Sequence, residues 1–76
     1  MYVSKITVYK NNRPAKNVRV ALEFTGFTNM GFTRAFYTNS DGVAYVEHSP
    51  EGKANVYIDC KYRGTMRVPG SEYFYI

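Results

Sequence analysis

Apolar and polar residues alternate with a period of two along most of this chain. That is the period of a strand whose successive side chains point to opposite faces of a sheet. The cleanest case is 17–25, with Val18, Val20, Leu22 and Phe24 on one side and Asn17, Arg19, Ala21, Glu23 and Thr25 on the other. On a helix those apolar residues would spread around the whole circumference, so the pattern predicts a strand with one buried and one wet face. Residues 2–10 alternate more loosely, with Ile6 and Val8 opposite Lys5, Thr7 and Tyr9. Over 32–38, Phe32, Arg34 and Phe36 share one face and Ala35 and Tyr37 the other, which predicts an arginine stem lying along the rings near a sheet edge. Over 43–48, Ala44 and Val46 turn inward while Val43, Tyr45 and Glu47 turn outward. Residues 53–59 direct Val56 and Ile58 inward and Asn55, Tyr57 and Asp59 outward, and Cys60 continues the inward parity. Met66 and Val68 mark a strand over 65–68. A last strand over 71–76 sends Phe74 and Ile76 inward and Ser71, Tyr73 and Tyr75 outward.

Turn signals separate these runs. The strongest is Asn39-Ser40-Asp41-Gly42, because glycine reaches positive φ without steric cost and Asp41 can bond its own turn backbone. Asn11-Asn12-Arg13-Pro14, Ser49-Pro50-Glu51-Gly52, Lys61-Tyr62-Arg63-Gly64 and Pro69-Gly70 read as further turns. Gly26–Gly31 is a glycine-bounded loop carrying Phe27 and Met30, which either tuck over the end of the core or belong to a contact site. Seven short strands with no helical segment predict an all-β chain, a small seven-stranded antiparallel β-sandwich spanning residues 1–76 as one domain. No internal repeat, low-complexity tract or linker interrupts it.

Three of these segments resemble known families. Arg13-Pro14-Ala15-Lys16-Asn17-Val18-Arg19-Val20 resembles the opening of bacterial immunoglobulin-like domains of the invasin and intimin type, and equally that of transthyretin-like, carboxypeptidase-regulatory-like domains. Thr38-Asn39-Ser40-Asp41-Gly42-Val43-Ala44 is similar to the hairpin both share, with Asn39 where aspartate is usual. Glu51-Gly52-Lys53-Ala54-Asn55-Val56-Tyr57-Ile58 is similar to the strand that follows it. The resemblance spans about residues 3–68 and rests on turn and core residues, in a chain shorter than most members. It implies an immunoglobulin-like or transthyretin-like fold and the work of a stalk, spacer, adhesive module or accessory domain, seldom of a catalyst.

Composition sharpens this only in part. A chain of 76 residues buries about 60% of the surface its unfolded form exposes, so every core position counts. One cysteine excludes an intramolecular disulfide, and one histidine beside it makes no usual zinc site, so no metal or cofactor is expected. The formal charge of +4 permits an acidic partner without demanding one. There is no signal-peptide pattern at the start and no apolar run near the ~18 residues of a membrane span. The expectation is a cytoplasmic protein if the chain is complete, and an extracellular or surface module if it is excised from a longer one.

Candidate chemistry is thin. His48 and Cys60 are the nucleophile–base candidates, and they would need mutual hydrogen-bond reach and a third group orienting the imidazole. The simpler expectation is a loop-edge histidine and a core cysteine acting as a small apolar residue. Glu23, Asp41, Glu47, Glu51, Asp59 and Glu72 are scattered singly, and the Asn39–Gly42 loop offers one carboxylate where calcium wants several. No enzyme is expected.

The aromatic residues carry more. Eight tyrosines stand beside five phenylalanines and no tryptophan. Tyr9, Tyr37, Tyr45, Tyr57, Tyr73 and Tyr75 fall on the parity opposite the core, joined by Arg19 and Arg67. Tyrosine and arginine are enriched at protein interfaces, although aromatics also suit exposed strand positions through cross-strand pairing. The expectation is a non-catalytic module binding a protein partner or a second copy of itself through this face, with Phe27 and Met30 assisting. The alternative is a nucleic-acid binder that stacks bases on tyrosine and holds phosphates with Lys and Arg. The basic residues are spread rather than gathered, which weighs against it.

Overall fold

The computed structural model describes residues 1–25 and 31–76, so Phe27 and Met30 lie outside the described residues. Those residues form nine strands and no helix: β1 (Tyr2–Lys10), β2 (Arg13–Pro14), β3 (Arg19–Phe24), β4 (Gly31–Phe32), β5 (Phe36–Tyr37), β6 (Val43–His48), β7 (Gly52–Ile58), β8 (Lys61–Val68) and β9 (Ser71–Tyr75). The chain is all-β and builds two sheets, an arrangement compatible with a β-sandwich.

In the first sheet β1 is central. On one edge it pairs antiparallel with β6, from Tyr2↔His48 to Thr7↔Val43, and further along with β2. Asn11 and Asn12 adopt left-handed backbone (φ 53° and 63°), closing a two-residue turn that folds β2 back on β1 where a plain turn was expected. On the other edge β9 runs parallel to β1, from Lys5↔Ser71 to Tyr9↔Tyr75. This corrects the expectation of antiparallel pairing throughout. The Lys5 N–H donates to the Gly70 carbonyl (2.8 Å), so β9 begins beside the start of β1 and can only run in its direction.

In the second sheet β3 pairs with β7 and β7 with β8, while β4 and β5 share the other edge of β3. The expected strand over 32–38 is broken. Phe32 stands opposite Glu23 and Phe36 opposite Val20, so four steps on one strand face three on the other. One inserted residue reverses the parity. Phe32 therefore lies on the outer face and is exposed, while Phe36 packs against the core. Thr33 bridges the break: its N–H donates to the Leu22 carbonyl (2.8 Å) and its Oγ1 accepts from the Leu22 N–H (3.1 Å). Arg34 lies with its guanidinium carbon 5.1 Å from the centre of the Phe36 ring, so its charged head meets one ring where its stem was expected along two.

The β7–β8 hairpin also turns earlier than expected. Asp59 and Cys60 (φ 56° and 65°) form its two-residue loop, and Lys61–Gly64 is strand. Tyr57 pairs with Tyr62 and Val56 with Gly64, leaving Arg63 as the extra residue of a bulge. Cys60 is consequently exposed at a hairpin tip and not part of the core.

Both sheets feed one core. Ile6, Val8, Ala44 and Val46 meet Val20, Leu22, Phe24, Ala54, Val56, Ile58, Met66 and Val68, with Val18, Phe36, Phe74 and Ile76 partly buried around them. The inward parity of every one of these follows the alternation. Three residues assigned to the outer faces are instead buried there, Thr7, Ala21 and Val43. Tyr57 stands opposite Ala21, and Thr7 lies between Val43 and Tyr73, so small side chains there are roofed by larger neighbours.

The hairpin into β6 is held by Asn39, not Asp41. The Asn39 Oδ1 accepts from the N–H groups of Asp41 (2.9 Å) and Val43 (3.1 Å). Beside it, the buried Thr38 Oγ1 accepts from the Val18 N–H (2.9 Å) and donates to the Ala15 carbonyl, tying the β2–β3 connection to the second sheet.

Candidate functional site

The tyrosines expected on one surface occupy two. In an antiparallel or parallel ladder, paired residues share a face. On the outer face of the first sheet, Tyr45 stands beside Lys5, Tyr73 beside Thr7 and Tyr75 beside Tyr9. On the outer face of the second sheet, Tyr37 stands beside Arg19 and Tyr57 between Ala21 and Tyr62. Alternation separates inside from outside, but in a two-layer protein there are two outsides. Tyr62, read from sequence as a turn residue, joins the second group because the hairpin turns at Asp59–Cys60. Arg19 and Arg67 also lie there but at opposite ends, Arg19 near Cys60 and Arg67 opposite Lys53.

On the first sheet the rings are ordered by one another. Tyr9 stacks on Tyr75 with centroids 5.4 Å apart and planes 17° apart, and on Tyr73 at 6.4 Å and 10°. Tyr45, Tyr73 and Tyr75 keep more than half their surface open. Beneath them the Thr7 hydroxyl is buried with no hydrogen-bond partner among the described residues. The patch is thus an aromatic surface with few charges, laid across β6, β1 and β9.

On the second sheet the aromatic contacts are edge-on: Phe32 to Tyr57 at 5.1 Å and Tyr57 to Tyr62 at 5.8 Å. Glu23 anchors this group. Its Oε1 accepts from Asn55 Nδ2 (3.1 Å) and from the Tyr57 hydroxyl (3.3 Å). Burial of the phenol first, and the Glu23 charge second, raise the Tyr57 pKa above its ordinary value of 10.0. The protonated phenol is the form the fold favours. Its contribution to stability is complete below pH 10 and is lost as pH rises through the higher folded value. Glu23→Gln is expected to bring the Tyr57 titration back toward 10, read by NMR or tyrosinate absorbance. A titration unchanged in that variant would leave the carboxylate without a part in the shift.

The nucleophile–base candidates are far from each other in role. His48 is buried, not loop-edge, and closes one end of the core. Its Nδ1 donates to the Pro50 carbonyl (2.7 Å), so Nε2 is free to accept from the Ser4 hydroxyl, also 2.7 Å away. Ser4 Oγ in turn accepts from the Gly70 N–H (3.2 Å). The His48 ring stacks on Tyr2 (5.8 Å) and tilts against Phe24 (5.9 Å). Sequence reasoning missed Ser4, although its parity with Ile6 and Val8 pointed inward. Serine, imidazole and carbonyl are aligned as a relay would be, but Ser4 has no exposed surface from which to reach a substrate. Cys60 instead accepts a long contact from Arg19 Nη1 (3.6 Å) at the far hairpin tip.

Comparison with protein-family models, curated proteins and solved structures finds no match to this chain. Among the described residues, no helix is long and apolar enough to cross a membrane.

Proposed function

We propose that this chain is a non-catalytic binding module, a small β-sandwich of immunoglobulin-like or transthyretin-like type. Its working surface is the outer face of the first sheet, and its partner is a protein, including a second copy of the chain. The observation that carries this is the Tyr9–Tyr73–Tyr75 stack with Tyr45 alongside: rings pre-ordered by mutual contact on a face that nothing among the described residues covers. Such rings lose little conformational freedom on binding and offer both apolar area and hydroxyls. Asn39 supports the fold type by holding the shared hairpin with its side-chain oxygen, as an aspartate could. Nucleic acid is the weaker reading, since these rings already stack on each other and Lys5 is the cation beside them.

The test is a face-against-face comparison. Tyr45→Ala with Tyr75→Ala strips the first sheet, while Tyr37→Ala with Tyr62→Ala strips the second. The first pair is expected to weaken self-association and partner capture by about 10- to 100-fold, the range set by losing two interface tyrosines. The second pair is expected to leave both unchanged. Equal effects from the two pairs, or none from the first, would remove the first sheet as the site.

A further inference from the structure

We infer that the free edge of β9 is the self-recognition element of this chain, pairing antiparallel with β9 of a second copy about a two-fold axis at Tyr73, and that Glu72 guards it. The inference rests on the binding reading above and gives that reading a partner and a register.

The hydrogen-bond parity of β9 is fixed at both ends. Gly70 accepts from the Lys5 N–H, and the Ile76 N–H donates to the Tyr9 carbonyl (both 2.8 Å). Even-numbered residues therefore bond to β1. By strand alternation, Ser71, Tyr73 and Tyr75 direct their N–H and C=O groups away from the sheet. These three residues are exposed, and no backbone hydrogen bond among the described residues joins β9 to another strand on that side. The neighbouring flank of the other sheet, β8, is broken by the Arg63 bulge and carries Lys61, Arg63 and Arg67, devices that discourage pairing. β9 has neither bulge nor proline. It has one guard: the outward Tyr73 N–H donates to the carboxylate of its own neighbour, Glu72 Oε1, at 3.1 Å.

A second copy fits this edge better than an arbitrary strand does. With the axis at Tyr73, Ser71 faces the copy's Tyr75, Tyr73 faces Tyr73, and Tyr75 faces Ser71. All the outward groups then find partners, about six hydrogen bonds at two per facing pair. The small Ser71 accommodates the large Tyr75. On the other face Glu72 meets the copy's Phe74 and not its Glu72, so no like charges stand opposed. The two Tyr9–Tyr73–Tyr75 stacks become continuous across the axis. The edge is short, so the pairing is weak and concentration-dependent.

Tyr73→Pro read against Tyr73→Ala separates this from every reading based on side-chain contact alone. Both lose the ring, but only proline also removes the N–H that faces away from β1, leaving the ladder to β1 intact, so Tyr73→Ala is expected to keep a weaker dimer that Tyr73→Pro lacks. In sedimentation velocity over rising concentration, the native chain is expected to dimerise and Tyr73→Pro to stay monomeric. Tyr73→Phe should dimerise like the native chain. Glu72→Gln, with the charged guard gone from both edges, is expected to tighten dimerisation about tenfold. Amide exchange supplies a readout free of mutation: protection at Ser71, Tyr73 and Tyr75 should rise with concentration while Phe74 stays protected throughout. A native chain monomeric at millimolar concentration, a dimer that survives Tyr73→Pro, or concentration-independent exchange at the odd-numbered amides would each overturn the proposal. Loss of partner capture in Tyr45→Ala/Tyr75→Ala, together with β9 exchange in the native chain that does not change with concentration, would keep the face reading and end this one. The reverse pattern would do the opposite.

Discussion

Gly42→Ala is expected to lower the melting temperature by about 10–40 °C, taking the slope of roughly 4–8 °C per kcal/mol for a domain of this size. Two independent terms lead there. The residue sits at φ +75°, where a Cβ is strained by about 1–2 kcal/mol. That Cβ would also lie 2.6 Å from the Val8 carbonyl oxygen, 3.0 Å from the Ala15 nitrogen and 3.1 Å from Pro14 Cα. All three are backbone atoms of β1 and of the segment folded back on it, so relief requires moving strands, at about 1–3 kcal/mol. The Val8 N–H donates to the Gly42 carbonyl at 2.8 Å, so the shift also disturbs the sheet's central strand. Gly52→Ala is the control. It shares a positive φ (+119°), but no atom stands within 4 Å of the added methyl. Thermal unfolding followed by circular dichroism compares the two. Backbone strain alone costs more at Gly52, whose φ lies further from the left-handed well, so a loss at Gly42 that is clearly smaller than at Gly52 would mean that the close approach to Val8 contributes little.

The two glycines illustrate what the sequence could and could not disclose. Asn39–Gly42 was legible as a turn because its residue types answer a local steric demand. That Gly42 also touches β1 is a tertiary fact with no local signature. The inward residues of β1, β3, β6, β7 and β9 were legible for the same reason as the turn: alternation reports burial directly. Errors arose wherever one residue was inserted. Between Phe32 and Phe36 a single extra position exchanged the two faces, and Thr33, which mends the ladder with its side chain, looks in sequence like any polar strand residue. At Asp59–Cys60 the turn consists of two residues with side chains in left-handed backbone, where glycine would have announced it.

The binding surface was legible to the same depth. Outward parity identified the tyrosines, yet parity cannot assign a strand to a layer, so two surfaces were read as one. The parallel pairing of β1 with β9 is what brings Tyr9 against Tyr73 and Tyr75. An alternating strand pairs equally well in either direction, and nothing in residues 71–76 fixes the choice. It is fixed by where β8 ends, beside Ser4 and Lys5.

That junction is the basis of the second large effect. His48→Ala is expected to destabilise the fold by about 3 kcal/mol, combining a cavity beside Phe24 with a buried Ser4 hydroxyl left without its acceptor. A chain of this length has about 4–11 kcal/mol in total, so the variant should be partly unfolded at physiological temperature. Ser4→Ala is expected to cost less, about 1–2 kcal/mol, because the Gly70 N–H it abandons lies near solvent and no large void opens. The double variant discriminates a network from two separate contacts. If Gly70, Ser4, His48 and Pro50 act as one chain of hydrogen bonds, losing either member already disables the other. The double cost should then fall short of the sum by about 1 kcal/mol or more in chemical denaturation. Strict additivity would mean that Ser4 and His48 each stabilise the core by packing alone. The ends of β1, β6 and β8 would then be held together by the Tyr2, His48 and Phe24 rings and not by the buried polar relay.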